Sequence, residues 1–455
     1  MAILRIILLL LITLPAWSTK YYIAPTGNDT SGNGSVGSPY FTLAKAWSYA
    51  NAGDTIYCRG GTYEYTAVQQ LNTRDGSVGS YINIWAYPGE QPTFTRTEAA
   101  ITGSSWPVGL IRLSGADYVY LRDLEITGFV QDTSLASICS GLAVYNSDNC
   151  IIERVNSHHN GHGILVYECA SPQILYCDTH HNYDPIDPTA GGNPYGDGDG
   201  LEVSDYGQGT HTIIRGCRFW NNSDDGLDLN KCIQFVTVDS CWAWGNGYRE
   251  DGVTTGGDGS GFKLGIEEAA YPDIYLSHVR TVTNNISFYN RNSGFNQNLF
   301  YGLMWLYNNV SYDNGQQGFI FFDRGDAASI IRNNISYSNG TGNGTFNTES
   351  TIDHNTFLVN GSENTSYSVS STDFVSIDST GVSGARSGNA KPDIDFLHLA
   401  PGSDLIDTGV DVGIDYNGTA PDLGAFEYVP TTATSITLKK SGTKLLKSSG
   451  GKLLK

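Results

Sequence analysis

The sequence predicts an all-β parallel solenoid, a β-helix, with a capping segment at its N-terminal end, and three observations carry that expectation. The first is a five-residue frame of small or polar residue, Gly, apolar, variable, apolar. It recurs as Ser140-Gly141-Leu142-Ala143-Val144, His162-Gly163-Ile164-Leu165-Val166, Asp199-Gly200-Leu201-Glu202-Val203, Asp225-Gly226-Leu227-Asp228-Leu229, Ser260-Gly261-Phe262-Lys263-Leu264, Ser293-Gly294-Phe295-Asn296-Gln297 and Gln317-Gly318-Phe319-Ile320-Phe321. The second is an asparagine ladder, Asn285-Ile286-Ser287-Phe288, Asn309-Val310-Ser311-Tyr312, Asn334-Ile335-Ser336-Tyr337 and Asn355-Thr356-Phe357-Leu358, whose first residues lie 24, 25 and 21 apart. The third is composition: 54 glycines and 28 tyrosines against two methionines favour turns and strands over helices. A period of about 20 to 25 residues without a helical apolar rhythm is that of short strands stacked in parallel coils.

The elements follow in chain order. Arg5, the apolar run Ile6 to Pro15 and the small-residue exit Ala16-Trp17-Ser18 have the layout of a secretory signal peptide, so residues 1–18 are expected to be removed and the protein to be secreted. That run is shorter than the about 20 apolar residues a membrane span needs, and no later stretch is long and apolar enough to cross a bilayer. Residues 19–430 are assigned to the solenoid. Its opening comprises Tyr21 to Asp29, Phe41 to Ala46 and Gly53 to Tyr63. Phe41-Thr42-Leu43-Ala44-Lys45-Ala46 reads as a short helix capping an end that otherwise exposes apolar core and strand edges.

Along the frame, Gly141 to Gly163 is 22 residues, Gly200 to Gly226 is 26 and Gly294 to Gly318 is 24, each one turn of the coil. The longer steps carry insertions, notably Asp184 to Gly198 and Tyr248 to Gly259, which could wall a groove. The body closes at Asp422-Leu423-Gly424-Ala425-Phe426-Glu427. Residues 431–455 read as a linker and a basic, low-complexity, disordered tail. The eight cysteines lack the Cys-x-x-Cys pairs of zinc sites, and Cys217 and Cys241 on neighbouring repeats are compatible with a disulfide or with stacked thiols.

Net charge is -20 although six lysines fall after Ala433, so the body is more acidic than the whole chain. That excludes a nucleic-acid partner, and a monomer is expected. In a strand, residues two apart share a face, so the apolar flanks of the frame point inward and the variable residue outward. The variable series is Ala143, Leu165, Glu202, Asp228, Lys263, Asn296 and Ile320, with charge confined to its middle. Asp199 and Asp225 take equivalent places on successive turns, about 4.8 Å apart, with Asp224, Asp228 and Glu202 close by. Such a cluster must be partly protonated or hold a cation. A hard divalent ion with six to eight oxygen ligands suits it, an extracellular setting supplies calcium, and the lack of His or Cys in the cluster argues against zinc.

Lys263 follows one turn beyond Asp228. Beside a bound cation its protonated form is disfavoured, and the free amine could take a proton. An ordinary lysine pKa of about 10.4 would then favour alkaline conditions. The implied reaction is proton abstraction α to a carboxylate, which is β-elimination on a uronic-acid polymer.

The asparagine ladder, the Tyr21-to-Tyr63 opening, Gly-Asp-Gly-Asp-Gly-Leu-Glu at 196–202, Ser-Asp-Asp-Gly-Leu-Asp-Leu at 223–229 and Gly-Phe-Lys-Leu at 261–264 together resemble the family 9 polysaccharide lyases, from Tyr21 to Glu427. The resemblance implies a right-handed parallel β-helix, calcium held by Asp199, Asp224, Asp225 and Asp228, Lys263 as Brønsted base, and cleavage of α-1,4-polygalacturonate. Asp197 competes with Asp199, because Gly-Asp-Gly-Asp-Gly offers two registers. An acidic body repels a polyanion, so a bridging cation is needed.

Glu202, Arg249, Arg291 and Asn296 are candidate substrate-binding residues, with Arg324 as a further arginine. Tyr248, Trp242 and Trp244 could stack on sugars or pack in the core. His158-His159 and His180-His181 invite a second metal, against which stands simple hydrogen bonding at turns. A lyase on another uronate polymer such as rhamnogalacturonan, or a non-catalytic carbohydrate-binding solenoid of an adhesin or spike, are the alternative functions. An inverting glycosidase would need carboxylates about 6.5 to 9.5 Å apart, and adjacent rungs are too crowded for that.

Overall fold

The computed structural model describes residues 18–96, 107–130, 139–186, 193–204, 211–265, 278–321, 329–342, 350–357, 367–430, 437–440 and 443–446, and the statements below concern these. The apolar leader 1–17 and Arg324 lie outside them. The body is a parallel β-helix of three sheets with 12, 9 and 10 strands. Its coil is right-handed, the sense taken by connections between parallel strands.

The frame lands in register. On the 9-stranded sheet Ala143 pairs with Leu165, Leu165 with Glu202, Glu202 with Asp228, Asp228 with Lys263, Lys263 with Asn296 and Asn296 with Ile320. The row also runs backward through Arg112 to Gln70, which the frame did not reveal. The flanking Leu201, Val203, Leu227, Leu229, Phe262 and Leu264 are fully buried, each contributing about 1.5–3 kcal/mol of apolar transfer. Behind the later rungs Phe262, Phe295, Phe319 and Phe357 stack with centroids 4.9 Å apart.

Two asparagine ladders fix the turns. In the expected one, the side-chain amides of Asn285, Asn309 and Asn334 donate to the next Asn Oδ1 at 2.8–2.9 Å, ending at Asn355. Its slot then passes to cysteines. Cys241, Cys217 and Cys177 point their thiols at the carbonyls of Ile214, Ile174 and Ile152, the same strand position that Asn285 uses on Val238. Cys217 and Cys241 are both buried free thiols, which decides between the two readings.

The second ladder was missed: Asn182, Asn222, Asn246, Asn290, Asn314 and Asn339 are linked amide to Oδ1 at 2.8–3.0 Å, with Asn160 joining through its backbone N–H. It explains the glycine of the frame. A Cβ on Gly226 would meet the Asn246 amide at 2.9 Å and the Gly261 carbonyl at 2.6 Å, and one on Gly294 would meet Asn314 at 3.0 Å and Gly318 at 2.6 Å.

The cap is the α-helix Leu43–Trp47. Thr42 caps it by accepting from the Lys45 N–H at 3.1 Å, and Leu43, Ala46 and Trp47 are buried against the end of the coil. On the outer face of the 10-stranded sheet His158, His180, Trp220, Trp244, Phe288, Tyr312 and Tyr337 form one row in register. A C-terminal strap covers the later part of that row, packing Phe374, Phe396, Leu405 and Leu423 with Trp242 and Trp244 in a second core. Trp242 and Trp244 are therefore packing residues and not sugar platforms.

The histidines stack in pairs, His158 on His180 at 4.7 Å and His159 on His181 at 5.2 Å. Nδ1 atoms meet within each sequential pair at 2.7 and 2.8 Å, and Nε2 of His158 and His180 reach Glu125 and Asn156. Hydrogen bonds thus account for these nitrogens. In the tail, Thr437–Lys440 and Thr443–Leu446 pair as an antiparallel hairpin, where a wholly disordered extension was expected.

The strap is locked by a charge triad. Asp178 takes Arg218 and Arg386 at 2.6 Å each, and Arg218 also donates to the Val382 and Gly384 carbonyls at 2.9 and 2.8 Å. Burial pushes the Asp178 pKa up, but the Arg218 hydrogen bonds and the Arg386 charge outweigh it and hold the carboxyl below its usual range.

Two outcomes follow. Asn309→Ala takes the acceptor from the buried Asn285 N–H and a donor from the Val282 carbonyl, at about 1–3 kcal/mol each, so denaturant unfolding should show a loss of about 2–6 kcal/mol; a change under about 0.5 kcal/mol would rule out a structural role for the ladder. A carboxyl with lowered folded pKa stabilises above its unfolded value of about 3.9 and loses that contribution as pH falls through the folded value. The Tm difference between wild type and Asp178→Asn should therefore be full at neutral pH and shrink below about pH 4; a difference constant through that range contradicts the triad's role.

Candidate active site

The charged rungs of the 9-stranded sheet converge at its centre. Asp199 is set by the register of Ile164 on Leu201, and its Oδ1 accepts the Asp225 N–H at 2.8 Å. Asp225 Oδ1 in turn accepts the Ser260 N–H at 2.5 Å. Each aspartate thus closes the backbone of the next rung with one oxygen and keeps the other for the site. Of the two registers open in Gly-Asp-Gly-Asp-Gly, the structure brings Asp199 against Asp225. Asp197 lies at the edge, its N–H on Asp184 Oδ2 at 3.0 Å.

Asp199, Asp224, Asp225 and Asp228 are all buried, and ligand oxygens of the first three lie within 4.8 Å of one another. Lys263 Nζ sits 3.0 Å from Asp225 Oδ2, 3.1 Å from Asp228 Oδ2 and 3.2 Å from Asp258 Oδ2. Burial first and mutual repulsion second raise every carboxyl: Asp199 and Asp224 well above the usual range, Asp225 upward, Asp228 to about 7. Burial alone would lower Lys263, but the charges of Asp225, Asp228, Asp224 and Asp199 hold its ammonium well above the ordinary value.

The remaining sequence candidates have defined places. Glu202, in the slot before Asp228, accepts from Asn230 at 3.1 Å and is raised by burial. Asn296 follows Lys263 in register and accepts the Asn298 N–H at 2.8 Å. Arg291 donates to the Gly257 carbonyl at 2.6 Å and Arg249 to the Thr255 carbonyl at 3.0 Å, so both brace the inserted loop at 247–259. Arg249 also lies over the Tyr195 ring, 4.4 Å from its centroid.

Three site residues escaped the sequence reading. Asp258 bonds Lys263 through its side chain and Asp224 Oδ1 through its N–H. Its signal was present, because Gly257-Asp258-Gly259-Ser260-Gly261 repeats the spacing of Gly196 to Gly200. The loop presses so closely on the aspartates that a Cβ on Gly257 would run into Asp224 Oδ1. Asp184 ties the other insertion down, accepting from Asp197 N–H and from Ser223 Oγ at 3.0 Å, and burial and the Asp197 charge push it up to about 7. His162 is buried beside Asp199, with Nδ1 on the Asp197 carbonyl at 2.9 Å; burial pushes it down to about 4 against the pull of the Asp197 and Ile164 carbonyls.

The donor set suits a hard divalent cation. All four aspartates offer only oxygen, Asp228 Oδ1 is buried with no hydrogen bond, and Asp225 Oδ2 meets only the ammonium of Lys263 among the described residues. Chemically, the arrangement puts one amine beside a cluster of carboxylates whose charge a divalent cation would offset.

The same fold occurs in known proteins. The family described as Pel9A-like, right handed beta helix region matches residues 21–372. Pectate lyase L of Dickeya chrysanthemi is 31% identical over 427 residues, covering 90% of this chain and 91% of that protein. Pectate lyase PEL9 of Emericella nidulans is 32% identical over 408 residues, 84% of this chain and 93% of that one. The crystal structure of pectate lyase Pel9A superposes with a TM-score of 0.73 at 28% identity, covering 90% of this chain and 96% of that chain. A structure named rhamnogalacturonan lyase shares the fold, with a TM-score of 0.70 at 24% identity over 84% of this chain and 97% of that one.

Proposed function

The chain belongs to the Pel9A-like, right-handed β-helix family, and from that premise we propose that it is a secreted, calcium-dependent pectate lyase that cleaves α-1,4-polygalacturonate by β-elimination with Lys263 as the base. The observation that carries the reading is the sequence of rungs: four buried aspartates and, one rung on from Asp228, a single lysine. Asp199, Asp224, Asp225 and Asp228 would hold calcium, which when bound offsets the charge of a uronate carboxylate and so acidifies the proton on the carbon next to it.

The chain's own residues supply the rest. A base must be neutral, and the Lys263 ammonium is held in its charged form by the carboxylates around it. Charge taken up elsewhere in the cluster removes that hold, and the amine is then free to accept the proton. Asp228 and Asp258 hold Nζ in place at 3.1 and 3.2 Å. Glu202 and Asn296 flank the reacting rungs and are assigned to substrate contact, with Arg249 and Arg291 holding the wall beside them. The apolar leader Ile6 to Pro15 supports export.

With polygalacturonate as substrate, ultraviolet absorbance of the unsaturated product should rise in calcium, vanish with chelator, and fall at least about 10²-fold in Lys263→Ala. No signal in calcium ends the pectate reading, chelator-resistant signal ends the metal assignment, and full activity of the variant removes the base. Asp224→Asn should weaken calcium binding at least about tenfold by calorimetry, yet leave the unfolding midpoint in chelator unchanged or higher, because one buried like charge is gone. Unaltered calcium affinity contradicts the ligand assignment.

A further inference from the structure

Once the four aspartates and the lysine have their roles, one buried polar group at the site remains unexplained. His162, on the strand His162–Tyr167, lies one rung before Asp199 and is 2% exposed. Its Nδ1 faces the Asp197 carbonyl at 2.9 Å, an acceptor that places the ring proton on Nδ1 and the lone pair on Nε2. That Nε2 is buried and has no hydrogen-bond partner among the described residues. A nitrogen of this ring, a carboxylate oxygen of Asp199 and one of Glu202 all lie within 4.8 Å of one another. A buried ring with one unsatisfied nitrogen, packed against two carboxylates, is unfavourable as it stands, and a shared cation would satisfy all three.

We propose that His162, Asp199 and Glu202 form a second cation site that shares Asp199 with the calcium site and takes a divalent transition ion of the manganese-to-zinc group. One imidazole nitrogen with two carboxylates is a donor set for such ions, whereas calcium takes oxygen. Opposite ligands of a six-coordinate ion with bonds of about 2.1 Å span about 4.2 Å, so small side-chain rotations close the observed spread. The Asp197 carbonyl is the outer partner that orients the ligating ring. The site also gives Glu202 a second role, turning a negative rung next to Asp228 into a neutral one. That last consequence rests on the polyuronate substrate; the site itself does not.

Cobalt(II) is the probe, added to the full-length protein in saturating calcium and followed by equilibrium dialysis, metal counting and visible absorption. One cobalt per chain is expected in addition to the bound calcium, with a d–d spectrum that is lost in His162→Gln and at least about tenfold weaker binding in Glu202→Gln. Both variants should keep the wild-type calcium count and circular dichroism. Cobalt binding to a folded His162→Gln as to wild type, or one-for-one exchange of cobalt for calcium, overturns the site. If His162→Gln does not fold, unchanged cobalt affinity in Glu202→Gln overturns it alone. Should the protein take no calcium, the calcium assignment fails while histidine-dependent cobalt binding still stands.

Discussion

The contact between the frame's glycines and the second asparagine ladder is the constraint on which the site depends. Each Asn amide fills the space where a Cβ would be, as Asn246 does at Gly226 and Asn314 at Gly294. The side chains on one turn and the backbone on the next are therefore locked to the same rung. A parallel sheet slipped by one residue would send its outward row inward. Here the hydrogen-bonded asparagines and the phenylalanine stack at 4.9 Å both oppose that slip. Asp228 and Lys263 meet because their rungs have no freedom to miss each other.

That rigidity makes the electrostatics costly in a useful way. Four buried aspartates, with Asp258 and Glu202 nearby, confront one ammonium, and the surplus is negative. Every carboxyl of the cluster is raised by burial and by its neighbours, while Lys263 is raised by the same charges. Such a cluster has two ways to relax: take up protons, which disarms the aspartates as ligands, or take up a cation, which also loosens the hold on the lysine proton. If the cluster holds the proposed cation and Lys263 is the base, metal affinity and base strength are tied to one charge balance, and neither can be tuned alone.

Much of this was legible in the sequence, for reasons that differ by residue. The frame exposed the slot series because β-strands alternate strictly, so Glu202, Asp228, Lys263 and Asn296 fell into one row as expected. The Asn285 ladder was visible because Asn-apolar-Ser recurs with little variation. The Asn182 to Asn339 ladder was not, because its members follow varied aromatic strands, as in Trp220-Asn221-Asn222 and Phe288-Tyr289-Asn290, and insertions break its period. Cysteine pairing was undecidable, since thiols and asparagines can serve the same turn slot. Arg249 and Arg291 were expected at the substrate from charge alone; their backbone partners depend on loop paths that no local pattern encodes.

The two insertions are the part of the design that periodicity could not deliver, and they converge on one residue. Ser223 gives its hydroxyl to Asp184 at the start of the first insertion and its carbonyl to the Gly257 N–H at the end of the second. Its own N–H is held by the Asn182 carbonyl, at the foot of the asparagine ladder. Ser223 immediately precedes Asp224 and Asp225. The two insertions, the ladder and the aspartate pair therefore form one hydrogen-bonded unit, and a movement of either loop bears directly on Asp224 and Asp225. Coil period places the charged rungs, and the inserted loops are anchored to them through Ser223, in the short step between Asn222 and Gly226.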